Sequence, residues 1–417
     1  MYKLLKKLAK NSAFYTFANS IEAFSPFLLA ILLTRQLTPD EYGVWVLFIA
    51  LVTFLRPVIN LTIQDALRMH FYEMDDAERA RFVWSSFCLT TICTASLVAI
   101  TLALSHPLSA ALSLPAEWLV TIPVAAYLYA VFYFLLAYNQ FAHDRGRFLS
   151  LHMVQTTASL AFIAFLVFNG WGWPGVVIGK IAGLAIGCAA GIYWLATGLQ
   201  FADVLRQPPQ LSRLAKFGLM YLPTGMGLVA IPLTDRLIVT HVLGLAENGL
   251  YGVAALFGSA VFVVINGFLH AWMPWLFRSL TDWQGKCREI ITVSMVFLVL
   301  LPLGGVIANF VAGLIAPLII GSQFDSAFHM IPWAIAGTVS MGFFFHNQAY
   351  LHFKKAILPM SLSSIACITL NAIFSYYGAL HYGVIGVLAA TIAAFLVAAL
   401  ISASFIIPKY HLKLANA

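Results

Sequence analysis

The chain has 417 residues, 61% of them hydrophobic and 9% charged, with a formal net charge of +7. A soluble protein of this size carries about 25% charged residues. Together with a mean hydropathy of +0.89, this excludes a soluble globular fold and points to a polytopic membrane protein with no nucleic-acid partner.

A helix needs about 20 mainly apolar residues to cross a bilayer. Twelve such stretches follow one another, centred in 13–34, 42–64, 82–104, 118–139, 150–169, 174–197, 217–239, 250–270, 290–316, 328–348, 358–378 and 383–407. The expected fold is an all-α polytopic membrane protein of about twelve transmembrane helices in two six-helix lobes, 1–200 and 201–417. The connecting loops are too short for a soluble domain.

The N-terminal tail carries Lys3, Lys6, Lys7 and Lys10. The apolar stretch after it is too long and too polar for a cleaved signal segment, so it reads as a retained first helix. Ser12, Thr16, Asn19, Glu22 and Ser25 lie along it at steps of three and four, the spacing of one helix face. Glu22 falls roughly 15 Å into the membrane. A charge at that depth is costly, which leaves protonation, or pairing with Arg56, as its alternatives. Arg35 marks the outer end, where boundary anchoring suffices.

The second stretch places Thr53, Arg56, Asn60 and Gln64 at the same helical steps. Arg56 lies roughly 12 Å from the end of the stretch. It can snorkel or pair there, or line a wet cavity. In the sixth stretch Lys180 is near enough to the outer end to snorkel. The seventh ends with Asp235-Arg236, neighbours that do not share a helix face. They are open to a site role or to interfacial anchoring. The eighth repeats the polar face of the second as Ser259, Phe262, Asn266 and His270, without its cation. His346 lies well inside the tenth and reads as a packing residue. Cys88, Cys93, Cys188, Cys287 and Cys367 have neither metal-ligand nor redox spacing.

Nineteen of the 23 Lys and Arg residues fall in seven clusters. After the tail come Arg68, Arg79 and Arg81; Arg145 and Arg147; Arg206, Arg213 and Lys216; Arg278, Lys286 and Arg288; Lys354 and Lys355; and Lys409 and Lys413. With twelve spans all seven lie on one side, which the positive-inside rule makes cytoplasmic, termini included. The four outside the clusters are Arg35, Arg56, Lys180 and Arg236.

The halves also repeat. At an ungapped offset of about 206, Tyr15 meets Tyr221, Pro26 meets Pro232, Glu41 and Gly43 meet Glu247 and Gly249, and Val58-Ile59-Asn60 meets Val264-Ile265-Asn266. Six spans per half give both halves the same orientation, related by an axis along the membrane normal, with the substrate path expected at their seam. The polar faces read as the walls of that path. No phosphate-binding loop, dinucleotide fingerprint or nucleophile elbow occurs, and no loop is large enough for catalytic clusters, so a non-enzymatic role is expected.

Two segments carry a family resemblance. Thr34-Arg35-Gln36-Leu37-Thr38-Pro39-Asp40-Glu41-Tyr42-Gly43 is similar to the helix 1–2 signature of polysaccharide transporters. Asp235-Arg236-Leu237, followed by Leu243-Gly244-Leu245-Ala246-Glu247-Asn248-Gly249-Leu250-Tyr251, is similar to their helix 7–8 signature. The chain resembles Wzx-type flippases of O-antigen (lipopolysaccharide) and exopolysaccharide, in the superfamily that also holds lipid II flippases and multidrug extruders. The resemblance implies two six-helix lobes working by alternating access in the bacterial inner membrane. They would carry an undecaprenyl-pyrophosphate-linked oligosaccharide from the cytoplasmic to the periplasmic leaflet. Membrane lipids, and the polysaccharide polymerase and chain-length regulator, would be the partners.

A pyrophosphate needs fixed cations, and Arg suits planar phosphate recognition. Arg56 is therefore the first candidate for head-group contact and Arg236 the second, with Asn60, Asn266, Thr53 and Gln64 for the glycan. Lys180 and Arg35 rank lower. No cofactor is expected beyond proton or sodium coupling, for which Glu22 leads and Asp235 follows. A multidrug/cation antiporter, a lipid II flippase and a non-transporting assembly protein are the competing readings.

Overall fold

The computed structural model describes residues 24–198, 209–281 and 283–414. Glu22 and the N-terminal lysines lie outside the described residues, as does Arg206. Among the described residues there is helix and no strand. In chain order the helices are α1 (Phe24–Gln36), α2 (Pro39–Asn60), α3 (Ile63–His70), α4 (Asp76–Ala103), α5 (Ser105–Leu112), α6 (Thr121–Phe141), α7 (Arg145–Phe168) and α8 (Gly172–Gly198). Then follow α9 (Leu211–Leu243), α10 (Leu245–Thr281), α11 (Trp283–Ile319), α12 (Ile331–Phe353) and α13 (Ile357–Leu414). Short 3₁₀ turns at Ala116–Trp118 and Ser322–His329 lead into α6 and α12.

The chain is an integral membrane protein; the described end of the first apolar stretch and most of each of the other eleven fall on helix. Among the described residues eight helices are long and apolar enough to cross a bilayer, and the pair Ser322–His329 and Ile331–Phe353, bent by 49°, makes a ninth. The other three stretches fall on α1, α9 and half of α13. The 50 residues Ile357–Ile406 would measure about 75 Å as one straight helix, against a hydrocarbon core of about 30 Å. They break at Gly383, whose φ of 61° and ψ of −146° only glycine adopts readily. Gly378 and Gly386 then meet backbone to backbone across the break. The two arms return along each other, as two spans should.

Local chemistry fixes the helix starts. Asp75 and Glu78 form a reciprocal capping box at α4. Thr38 and Glu41 do the same at α2: the Glu41 amide donates to Thr38 Oγ1 at 3.3 Å, and the Thr38 amide donates to Glu41 Oε2 at 3.0 Å. Pro39 sits at the first helical position, where its missing N–H costs nothing. Inside the helices, Thr and Ser hydroxyls donate to the carbonyl four residues back, as at Thr94, Ser85 and Ser402. Hydroxyl groups in an apolar medium are satisfied in this way without a partner helix.

Two compact units emerge. One takes the described residues through Leu37 with Val44–Leu233; the other takes Thr38–Gly43 with Thr234 onward. In the first, aromatic and aliphatic side chains of α4, α6, α7 and α8, with Phe71 after α3, make the core, among them Phe132, Leu135, Phe148 and Leu151. Along α8, Gly179, Gly183 and Gly187 face Ile163, Ser159 and Gln155 of α7 so closely that a Cβ would collide. Small residues let membrane helices approach in this manner.

In the second unit the repeat becomes visible as geometry. A Cβ on Gly43 would strike the carbonyl of Leu245, and a Cβ on Gly249 would strike the carbonyl of Pro39. Both partners are related by the sequence offset, so the first turns of α2 and α10 cross as mirror entries of one contact. Asn248 Nδ2 donates to the Gly43 carbonyl at 3.0 Å and locks the crossing.

Candidate functional site

The first unit gathers two of the four isolated cations. On α6, Tyr129 and Tyr133 are one turn apart, and their rings lie nearly parallel, 5.9 Å between centroids and 13° between planes. The guanidinium of Arg56, from α2, sits 4.6 Å above the Tyr133 ring. The ammonium of Lys180, from α8, sits 5.1 Å above that of Tyr129. Arg56 and Lys180 thus bracket a stacked tyrosine pair, and both are only half-buried. Cation–π contact holds each charge in a fixed place without neutralising it, so both remain able to meet an anion. Lys180, which the sequence assigns to boundary anchoring, belongs with Arg56.

The polar face of α2 does not continue as its spacing implies. Thr53 is on it, with its hydroxyl turned back to the Ile49 carbonyl at 2.7 Å. Then α2 ends at Asn60, and Leu61 and Thr62 take left-handed backbone angles with φ of 46° and 54°. Asn60 is 4% exposed, and its Oδ1 accepts the Thr62 amide at 2.9 Å. Its amide supports the turn. Gln64 follows on α3, a separate helix, so the continuous Thr53-to-Gln64 stripe is interrupted. Pro57, inside α2, already lacks the backbone donor for the carbonyl four residues earlier. A proline followed by two left-handed residues is the local signal that the helix was about to stop. Asn266, by contrast, lies half-buried within the uninterrupted α10. Arg35 is exposed at the end of α1.

The second unit builds a different cluster around Asp235, which is 1% exposed on α9. Its Oδ1 accepts the Ser375 hydroxyl at 2.8 Å. Its Oδ2 accepts Thr391 Oγ1 at 2.8 Å and the Tyr251 hydroxyl at 3.2 Å. Behind them Asn371 Nδ2 donates to Thr391 Oγ1 at 3.1 Å, and Asn371 Oδ1 is buried without a partner. Among the described residues Asp235 has no ion pair. Arg236, next in sequence, turns instead toward the Tyr251 ring at 6.0 Å, with its Nε buried and unpartnered. Tyr251 therefore touches both the acid and its neighbouring base.

A carboxylate buried among neutral donors, with no ion pair among the described residues, carries a charge that its low-dielectric setting makes costly. Two carboxylate oxygens, three hydroxyl oxygens and the Asn371 amide oxygen form an all-oxygen set suited to a proton or a hard cation. Sequence reasoning found Asp235 and missed Tyr251, Asn371, Ser375 and Thr391. The available signal was the helical step from Asn371 to Ser375 within the otherwise apolar 358–378 stretch.

The polysaccharide biosynthesis protein family model matches residues 32–329. No curated protein matches the chain by sequence. Among solved structures, an inward-facing multidrug resistance MATE family transporter of the MOP superfamily superposes with a TM-score of 0.76 at 13% identity, covering 94% of this chain and 96% of that one. Lipid II flippase MurJ, in an inward closed conformation, gives 0.71 at 15% identity over 95% and 87%. A MOP superfamily transporter from Pyrococcus furiosus, described as having a binding pocket of reverse polarity, gives 0.57 at 14% over 96% and 93%. At these identities the likeness is one of fold, and the fold is that of MOP superfamily transporters. With the family model covering well over half of its length, the chain belongs to the polysaccharide biosynthesis protein family.

Proposed function

We propose that this protein is a flippase, not an enzyme, that carries an undecaprenyl-pyrophosphate-linked oligosaccharide from the cytoplasmic to the periplasmic leaflet of the bacterial inner membrane, with both termini cytoplasmic. The observation that supports this best is the pair of half-buried cations on the Tyr129–Tyr133 stack. Two fixed cations suit a pyrophosphate. The two tyrosines add phenolic hydroxyls that can donate to and accept from sugar hydroxyls. An organic cation would meet repulsion from Arg56 and Lys180, which places the multidrug reading behind.

Transport is coupled to a proton or sodium gradient through Asp235. Binding of the ion neutralises the carboxylate, and the Ser375, Thr391 and Tyr251 hydroxyls reorient around it. The ion then shifts the balance between access states by as much as its affinity differs between them. Arg236 sits one residue away and feels that change through Tyr251. Glu22, outside the described residues, remains the other carboxylate able to serve.

The test is flipping of a defined lipid-linked oligosaccharide in proteoliposomes, with and without imposed proton and sodium gradients. Wild-type protein is expected to flip it faster under one of the gradients, and Arg56→Gln/Lys180→Gln to lose that activity. Flipping by the double variant at the wild-type rate sinks the assignment.

A further inference from the structure

Away from both clusters, the first unit contains a cavity of about 320 Å³ where α3, α4 and the start of α9 come together. Local contacts build it. The Gln210 amide donates to the buried Ser85 hydroxyl at 2.9 Å, which ties the start of α9 to α4. Gly218 lies directly against the Leu61 carbonyl at the α2–α3 break. The Phe217 ring meets His70 edge-on at 6.4 Å.

Two arginines and two glutamates line this space: Arg81, Arg213, Glu73 and Glu78. Arg81 Nε is buried with no hydrogen-bond partner. Neither Arg81 nor Arg213 makes an ion pair among the described residues, whereas nearby Arg68 and Arg79 are each paired with an aspartate three residues back. Glu73 meets His70 at 2.8 Å, and Glu78 closes the α4 capping box. A carboxylate has about four lone-pair sites, so both acids retain accepting capacity. Beside the cavity, Met69, Leu219 and Met220 are 52%, 60% and 71% exposed, an apolar surface for a bilayer to cover.

We propose that this cavity is a phospholipid headgroup site selective for a phosphate that carries a primary ammonium, as in phosphatidylethanolamine. The phosphate oxygens accept from Arg81 and Arg213, for which Arg geometry is suited. The ammonium donates to Glu73 and Glu78, and the acyl chains run along Met69, Leu219 and Met220. Two cations and two carboxylates match a zwitterion. A purely anionic headgroup would leave both glutamates facing it, and a trimethylated ammonium has no N–H to donate. The site is independent of the cargo and of the Asp235 cluster.

Native mass spectrometry of the purified full-length protein, with added phosphatidylethanolamine, phosphatidylcholine or phosphatidylglycerol, tests it. The wild type should retain phosphatidylethanolamine over the other two. Arg81→Gln/Arg213→Gln should lower that retention by about tenfold, the scale of losing charge-assisted hydrogen bonds to phosphate. Glu73→Gln should move the preference toward phosphatidylglycerol, an exchange of selectivity that misfolding does not produce. If the double variant melts early, that exchange decides alone. Equal retention of the three lipids by the wild type overturns the proposal. So does wild-type retention of phosphatidylethanolamine by a normally folded double variant. Displacement by water-soluble O-phosphoethanolamine at equal concentration would overturn the lipid as the source.

Discussion

α2 and α10 begin at positions equivalent in the repeat, Pro39 and Leu245, yet α2 stops after 22 residues at Asn60 while α10 runs for 37 residues through Asn266. The charges differ in the same way. Where α2 carries Arg56, α10 carries Phe262, packed near Phe345. Where α9 carries Asp235 and Arg236, the equivalent positions of α1 are the buried Leu29 and Ala30. The duplication has kept the frame, seen in the reciprocal Gly43 and Gly249 contacts, and has divided the chemistry. A pair of half-buried cations on a tyrosine stack lies in one unit, and a buried carboxylate held by hydroxyls, next to a buried arginine, lies in the other. On the proposed function these are a substrate side and an energy side.

The sharpest way to break that division is Asp235→Asn. The amide keeps the shape, and its single oxygen can accept from one of the Ser375 and Thr391 hydroxyls while its NH2 faces the other, but it has neither a charge nor a titrating proton. Gradient-driven flipping should fall to the level of empty liposomes, while downhill exchange of the lipid-linked oligosaccharide persists. Driven flipping at the wild-type rate would remove the energy role from the second unit. Asp235→Ala should also destabilise the protein by about 1–3 kcal/mol, because it strands buried hydroxyl groups, and thermal unfolding in detergent would show it.

Arg56→Gln and Lys180→Gln test the other side, with the next largest effect. Each removes one cation from a half-buried site, so each should raise the half-saturating substrate concentration by about tenfold, in keeping with a charge-assisted hydrogen bond. Tyr129 and Tyr133 stay in place, so the response to the gradient should remain. If Lys180→Gln leaves the concentration dependence unchanged, Lys180 returns to the boundary role that its position in the sequence implies.

That pair also shows what could be read in advance. Span positions, the basic loops and the repeat were legible because a bilayer demands about 20 apolar residues per helix and penalises charge within them. Arg56 and Asp235 stood out for the same reason. Their partners did not. Tyr129 and Tyr133 look like ordinary apolar filling until α2 and α8 bring cations over them. Ser375 and Thr391 reach one carboxylate only because Gly383 folds α13 back on itself. The α2–α3 break was missed because helical spacing was extended through Leu61 and Thr62, where a helix period says nothing about left-handed backbone.

The shared frame can be tested with smaller effects. Gly43→Ala and Gly249→Ala place a methyl group against the carbonyls of Leu245 and Pro39, respectively. Overpacking of this kind costs roughly 1–3 kcal/mol. The reciprocal geometry requires the two losses to be alike, as measured by unfolding in detergent. A large cost at one glycine with none at the other would mean that the crossing is not symmetric in energy, whatever its shape.

The smallest expected effect separates two identical residues. Asn60→Ala deletes the acceptor of the Thr62 amide at the α2–α3 turn and should cost roughly 1 kcal/mol. Its equivalent, Asn266→Ala, alters a half-buried position inside a continuous helix, where Ala has the better intrinsic propensity by a few tenths of a kcal/mol. Stability should therefore fall for the first and hold or rise slightly for the second. The transport readout should reverse the order: if Asn266 meets the glycan, its loss weakens substrate affinity, whereas Asn60 acts only through the turn. Equal behaviour of the two in both measurements would mean that the repeat has kept a common role at this position, despite the break that now follows only one of them.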